Sequence, residues 1–303
     1  MDKLLNFQSN IILILQRAAN GDWKILWNII TFFANPIIFL FAFLIIYWNI
    51  NKKEGARFAY NAIITLLIVN TLKSICNIRR PFLYNTDIKM LEMDGSGTGS
   101  SFPSGHSALS SALCSSLLIS YLHGGFWIVF TVIIPLLVGL SRMILGMHFP
   151  LDVIIGLGIG YGFTFIFYNL LDKMDNGLKG SLVLSVILSS VILVGAFILS
   201  LLVTVHILSN SIFSDLIRSL SLLGGFILGR FFEERFVKYL TRARKAKKIL
   251  RLILGIIPIA LLYVFLKHTP SIISDFTLYT FIAIWGTFLF PLIGIHSNLF
   301  YII

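Results

Sequence analysis

The chain has 303 residues, of which 57% are hydrophobic and only 12% charged, with a formal net charge of +11. Its mean hydropathy is +0.91. Soluble domains carry roughly 25% charged residues, so the composition excludes an ordinary water-soluble enzyme and points to a polytopic helical membrane protein.

Residues Ile11 to Leu15 form an apolar stretch too short for a cleavable signal, and no small-residue cleavage site follows them. Leu4, Leu5, Phe7, Ile11, Ile12 and Leu15 are set among polar residues, the pattern of an amphipathic helix lying in the membrane interface. Nine apolar spans follow, near 29–49, 57–76, 105–122, 126–145, 150–170, 181–205, 215–232, 249–267 and 276–296. Such runs suffice to cross a hydrocarbon core of ~30 Å. Asn35-Pro36 should kink the first span. The seventh is the weakest, with Arg218 in its first turn, although Gly224, Gly225 and Gly229 suit close helix packing. Gly156, Gly158, Gly160 and Gly162 give the fifth span a small-residue stripe, which fits packing inside the bundle better than a dimer interface. The expected fold is therefore an all-α transmembrane bundle forming one integral membrane domain over 1–303, without internal repeat or linker.

The polar interval 82–102 carries Asp87, Glu92, Asp94 and a glycine-serine run over 95–101. It reads as a flexible loop, either a lid over a site or a solvated connector. Cys76 and Cys114 lie in or beside apolar segments and read as small buried hydrophobes. His123, His206, His268 and His296 fall at span ends and read as interfacial.

Three polar motifs stand where spans end. Lys73 and Arg80 are seven residues apart, two helical turns, which would place them on one face about 10.5 Å apart along the axis. Pro81 disfavours helix at Arg80 and should release its guanidinium into the loop. Taken alone, two cations at a membrane boundary read as snorkelling anchors. Pro103-Ser104-Gly105-His106 directly precedes the third span, where free amides at a helix start attract anions. The bland alternative is an ordinary serine cap. The third motif runs Ser141-Arg142, then His148-Phe149-Pro150-Leu151-Asp152. Proline favours the first helical position, so Asp152 falls near the third and can reach back across the turn towards His148. An aspartate holding one imidazole nitrogen leaves the other nucleophilic. Its bland reading is an acid complementing the helix dipole. Alternation of the spans brings all three motifs to one side of the membrane, and charge inside so apolar a chain is functional by default.

These motifs resemble, at every signature position, the tripartite signature of the type 2 phosphatidic acid phosphatase (PAP2) superfamily. The resemblance covers residues 73–152 and implies a six-helix core over roughly 20–205, with 206–303 as additional transmembrane helices. It implies a metal-independent membrane phosphatase acting on a lipid phosphate or pyrophosphate through a phosphohistidine. In that mechanism His148 is the nucleophile, Asp152 orients it, and His106 is the acid and base. Lys73, Arg80 and Arg142, with the amides around Ser104 and Gly105, hold the phosphate. No metal and no cofactor is implied. The alternative is a non-hydrolytic lipid carrier or phosphotransferase on the same fold, which the His148–Asp152 pair disfavours because pure binding needs no nucleophile. Among substrates, a polyprenyl pyrophosphate ranks before phosphatidate, phosphatidylglycerol phosphate and sphingoid phosphates.

The basic run 238–248 lies between two spans, so membrane topology explains it better than nucleic acid does, with anionic headgroup contact a secondary reading. Positive connections stay in the cytoplasm. With nine spans, fourteen cations lie on the side away from the motifs, against seven on the motif side once Lys73, Arg80 and Arg142 are set aside. The site is therefore expected to face outward, as an extracytoplasmic active site.

Overall fold

The structure is a computed structural model that describes residues 2–19, 23–93, 99–122, 124–177, 182–268 and 271–302. Asp94, residues 95–98 of the glycine-serine run, and His123 lie outside the described residues. Two compact units emerge from the packing, Met1–Leu40 with Thr65–Asn169 and Phe41–Ile64 with Leu170–Ile303.

The first unit begins with α1 (Asp2–Ala18), whose Gln8, Ser9 and Ile12 are buried. The opposite face leaves Leu4, Phe7 and Ile14 exposed, the amphipathic division its sequence suggests. α2 (Lys24–Phe32) and α3 (Pro36–Ile45) make one long apolar span, broken where Asn35-Pro36 predicts the kink. There Asn35 Oδ1 accepts from the Ile37 amide at 2.9 Å. The chain then belongs to the second unit over Phe41–Ile64, through a π turn (Ile46–Ile50) and the first half of α4 (Lys52–Cys76), and the first unit resumes with the rest of α4 and the single turn α5 (Pro81–Tyr84). α6 (Gly105–Ser120), α7 (Gly125–Ile144) and α8 (Pro150–Gly177) follow.

Eight described helices are long and apolar enough to cross a membrane. The remaining expected span is α6, which has 16 residues, about 24 Å of helix. Its two ends are set by its neighbours. The Ser104 amide, just before α6, donates to the Asp152 carbonyl at the start of α8 at 3.0 Å. α6 packs along α7, which begins five residues after α6 ends. The chain thus leaves the Ser104 end along α6 and returns to it along the 20 residues of α7. The low hydropathy of α6 reflects its central position, because Ser107, Ser110, Ser111, Ser115 and Ser116 are all buried. Their hydroxyls are satisfied locally, as Ser111 Oγ donates to Ser107 O at 2.9 Å and Ser115 Oγ to Ser111 O at 2.6 Å.

Small residues let α8 lie almost on the α6 backbone. A side chain at Gly156 would begin 2.5 Å from Ser104 O, and one at Gly160 would begin 2.2 Å from Ala108 O. Gly158 and Gly162 have nothing within 4 Å. Half of the glycine stripe therefore packs within the bundle, as the sequence suggests, and the other half faces open space.

The second unit holds α9 (Leu182–Thr204), α10 (Asn210–Phe232), α11 (Lys245–Lys267), α12 (Ile272–Ile284) and α13 (Phe290–His296). α9, α10 and α12 pack together around a core of Val203, Ile217 and Ile272. Arg218, the residue that weakened the seventh span, is compensated by Asp215 at 2.8 Å and Asp275 at 2.7 Å. A two-stranded antiparallel ladder pairs β1 (Tyr239–Leu240) with β2 (Tyr301–Ile302). A partly buried ion pair joins Lys52 Nζ to Glu233 at 2.7 Å.

Candidate active site

All candidate site residues belong to the first unit. α4 does not continue to Arg80. It ends at Cys76, with Asn77 in the left-handed region at φ 43 and its amide closing on Lys73 O at 3.0 Å. The expectation that Lys73 and Arg80 project from one helical face is thereby corrected, because the helix stops between them. The effect of Pro81 is as expected: Arg80 is extended (φ −69, ψ 155) and precedes α5. The Arg80 side chain folds inward, 4% exposed, with Nη1 donating to Met147 O at 3.3 Å. Lys73 reaches the start of α6, its Nζ lying 4.0 Å from where a side chain at Gly105 would begin.

Ser104 is the N-cap of α6. Its hydroxyl oxygen accepts from the Ser107 amide at 3.4 Å and from the Ser107 hydroxyl at 2.9 Å. Gly105 and His106 form the first turn of that helix, and both are half-buried.

The third motif leaves α7 through a turn that requires Gly146. Its φ is +76, and a side chain there would begin 2.5 Å from Lys89 O. The Met147 amide then bonds to Arg142 O at 3.0 Å, and the His148 amide to the same carbonyl at 3.3 Å. Asp152 is the third residue of α8, as expected. It reaches back to the Phe149 amide at 2.8 Å, the geometry of a capping box. The same oxygen, Oδ2, stands 3.6 Å from His148 Nδ1, and Nδ1 has no hydrogen-bond partner. Catalytic hydrogen bonds are often long in unliganded sites and tighten when substrate binds.

His148 is 1% exposed. Burial away from water lowers its pKa well below 6.5, and the nearby charges of Arg80, Arg142 and Lys73, with His106, act in the same direction. The ring is therefore neutral at neutral pH. Cations, imidazoles and carboxylate thus lie within electrostatic reach of one another.

Several partners escape sequence reasoning. Ser101 is fully buried and its hydroxyl donates to Asp152 Oδ2 in a very short hydrogen bond. Gln8 Oε1 accepts from the Leu151 amide at 2.8 Å, tying α1 to the start of α8. Glu92 forms a buried ion pair with Arg142 Nη1, and Thr31 Oγ1 accepts from the same nitrogen at 3.2 Å. A small core of Ile12, Ile88 and Phe149 supports this end of the unit. The part of 82–102 that is described is therefore a fastened element. Only the acidic character of Glu92 was visible, and nothing in its spacing identified a cation partner. Among the described residues, no group of three His, Cys, Asp or Glu side chains is placed to hold a metal.

This arrangement of three cations, two imidazoles and a restrained carboxylate at the start of two helices accords with the family comparison. Residues 54–175 match the PAP2 superfamily, and residues 217–300 match the family described as PAP2 superfamily phosphatase, transmembrane extension. The chain belongs to the PAP2 superfamily. An undecaprenyl-diphosphatase of Sulfolobus acidocaldarius is 29% identical over 123 residues, covering 41% of this chain. The chain spans 58% of that relative's length. The crystal structure of LpxE from Aquifex aeolicus aligns with a TM-score of 0.47 and 22% identity, covering 53% of this chain and 93% of that one.

Proposed function

We propose that this protein is an integral membrane phosphatase that removes a terminal phosphate from a lipid phosphate or pyrophosphate. The observation that carries the reading is the burial of neutral His148 beside Asp152 and among Arg80, Arg142 and Lys73. A binding protein has no use for a desolvated imidazole held against a carboxylate, whereas a phosphoryl-transfer enzyme uses it as nucleophile.

In the first step His148 Nε2 attacks phosphorus while Nδ1 faces Asp152. The P–O bond to the leaving group breaks, and His106 gives that oxygen a proton. In the second step His106 takes a proton from water, the water oxygen attacks phosphorus, and the P–N bond breaks to release inorganic phosphate. Lys73, Arg80, Arg142 and the amides at the start of α6 stabilise charge on the equatorial oxygens, where phosphoryl transfer needs it most. Guanidinium forks suit that task because they match two phosphate oxygens at once.

The undecaprenyl-diphosphatase relative supports a polyprenyl pyrophosphate as first substrate. An outward-facing site suits a carrier lipid whose pyrophosphate appears after an extracytoplasmic transfer reaction. The test is phosphate release from a panel of lipid phosphates and pyrophosphates by purified protein in detergent. Turnover should be highest on polyprenyl pyrophosphate, persist in excess chelator, stop with vanadate and vanish in His148→Ala. Absence of phosphate release from every lipid would leave the carrier reading in its place, and loss of activity in chelator with rescue by magnesium would overturn the metal-independent mechanism.

A further inference from the structure

Arg142 is 1% exposed, and its nitrogens are not equivalent. Nη1 is held by Glu92 and Thr31, whereas Nε is buried without a hydrogen-bond partner. A guanidinium offers phosphate a bidentate edge of two N–H groups. With Nη1 taken from behind, the edge that includes Nε is the one left for an anion.

Glu92 is fixed in turn. The Leu91 amide donates to Leu145 O at 3.1 Å. Asn28 on α2 brackets the glutamate, its Nδ2 donating to Leu91 O at 3.2 Å and its Oδ1 accepting from the Met93 amide at 3.1 Å. Gln16 on α1 accepts from the Lys89 amide at 3.1 Å and donates to Lys89 O at 2.7 Å and to Ile144 O at 2.9 Å. Three elements therefore hold one carboxylate against one nitrogen of the proposed phosphate-binding arginine. A carboxylate waiting to swing away would have no need of such fastening.

We propose that Glu92 is a positioning residue for the phosphoryl-transfer reaction, holding Arg142 so that its Nε edge faces the phosphate beside His148. The inference rests on the phosphatase reading above. An unrestrained arginine loses rotamer freedom each time substrate binds. Glu92 and Thr31 place that loss in folding instead, so it does not recur in the catalytic cycle.

A double-mutant cycle separates this role from plain structural support. kcat/KM is measured for Glu92→Ala, Glu92→Gln, Arg142→Ala and the two double variants. Glu92→Ala should lower kcat/KM about 10- to 100-fold, the scale of a misplaced catalytic contact. Glu92→Gln should lose less, since its amide oxygen still accepts from Nη1, and it carries the cycle if the alanine variant does not fold. In the Arg142→Ala background, either change at position 92 should alter kcat/KM less than twofold. A structural glutamate would instead cost the same factor in both backgrounds, and that result overturns the proposal. Higher activity or tighter phosphate inhibition in Glu92→Ala overturns it too, because Glu92 would then be an anion competing with substrate. The cycle is also read, without turnover, in the vanadate concentration that half-protects each variant from thermal unfolding. If wild-type protein hydrolyses no lipid phosphate, the phosphatase reading fails on that result alone, while the vanadate cycle still decides whether Glu92 positions Arg142.

Discussion

An imidazole shut away from water and surrounded by guanidinium groups has little reason to take up a proton. This is the situation of His148, whose pKa is pushed well below 6.5, first by desolvation and then by Arg80, Arg142, Lys73 and His106. The consequence for rate has a definite sign. In the proposed mechanism only the neutral ring can attack phosphorus, so activity should be lost as pH falls through the pKa of His148 in the folded protein, and a lowered pKa moves that acid limb to more acidic pH. Removing one neighbouring cation should move it back. The kcat/KM profile of the wild-type protein should therefore hold its plateau to below pH 6.5, and Arg80→Gln should shift the acid limb upward. It should also cost roughly 10²- to 10³-fold in rate, as loss of one charge-stabilising donor does elsewhere. Taking the ratio of the two profiles on one substrate cancels the ionisation of the substrate itself. A ratio that is flat across the acid limb would mean that Arg80 does not act on His148. In the proposed mechanism Asp152 would contribute orientation to this arrangement. Its Oδ2 is fixed by the Ser101 hydroxyl and the Phe149 amide, so the carboxylate is in place before the imidazole tightens onto it.

At the level of elements, the site depends on how closely α8 approaches α6. Gly156 is the point of closest control, because a side chain there would begin 2.5 Å from Ser104 O and 3.2 Å from Ser107 Cβ. Gly156→Val should push the helix starts apart and strain the bond between the Ser104 amide and Asp152 O. Overpacking of this kind costs about 1–3 kcal/mol, and phosphatase activity should fall further than stability alone explains. Gly158→Ala, with nothing within 4 Å, should leave both unchanged, as thermal unfolding and activity in detergent will show. Equal effects from the two substitutions would contradict the packing argument. The same helices show what was legible in the sequence. Hydropathy located every long span and the break at Asn35-Pro36, and proline placed Asp152 at the third position of α8. The helical face assigned to Lys73 and Arg80 failed because spacing alone cannot reveal that Asn77 turns left-handed and ends α4. The glycine-serine run suggested a flexible connector, and no local pattern distinguishes a loose serine from Ser101, which is buried with its hydroxyl donating to a distant carboxylate. Long-range partners such as Glu92–Arg142, Gln8–Leu151 and Gln16–Lys89 depend on tertiary packing, which periodicity does not encode.

For the whole molecule the open variable is which side of the membrane the chemistry faces. The crossing count decides it, and two elements carried the risk. α10 forms part of a long apolar helix running Asn210–Val237, and its Arg218 is neutralised by Asp215 and Asp275. α6 is short, yet the bond between Ser104 and Asp152 requires it to leave the site and α7 to return. We propose that α6 completes the eight long apolar helices to nine crossings. With nine crossings, alternation along the sequence would assign Lys52, Lys53, Arg57 and the cations from Arg230 to Arg251 to the connections opposite the motifs, and an excess of lysine and arginine marks the cytoplasmic face. We therefore propose that the site opens to the periplasm, the cell exterior or an organelle lumen. Single cysteines at Asp87, which is exposed in the connection before α6, and at Ala243 in the basic run test this directly. Exposed Cys76 and buried Cys114 must first be replaced. In intact cells an impermeant maleimide should label position 87 and spare position 243 until the membrane is permeabilised. The opposite pattern would turn the site towards the cytoplasm and remove the reason for preferring a lipid whose pyrophosphate arises outside it.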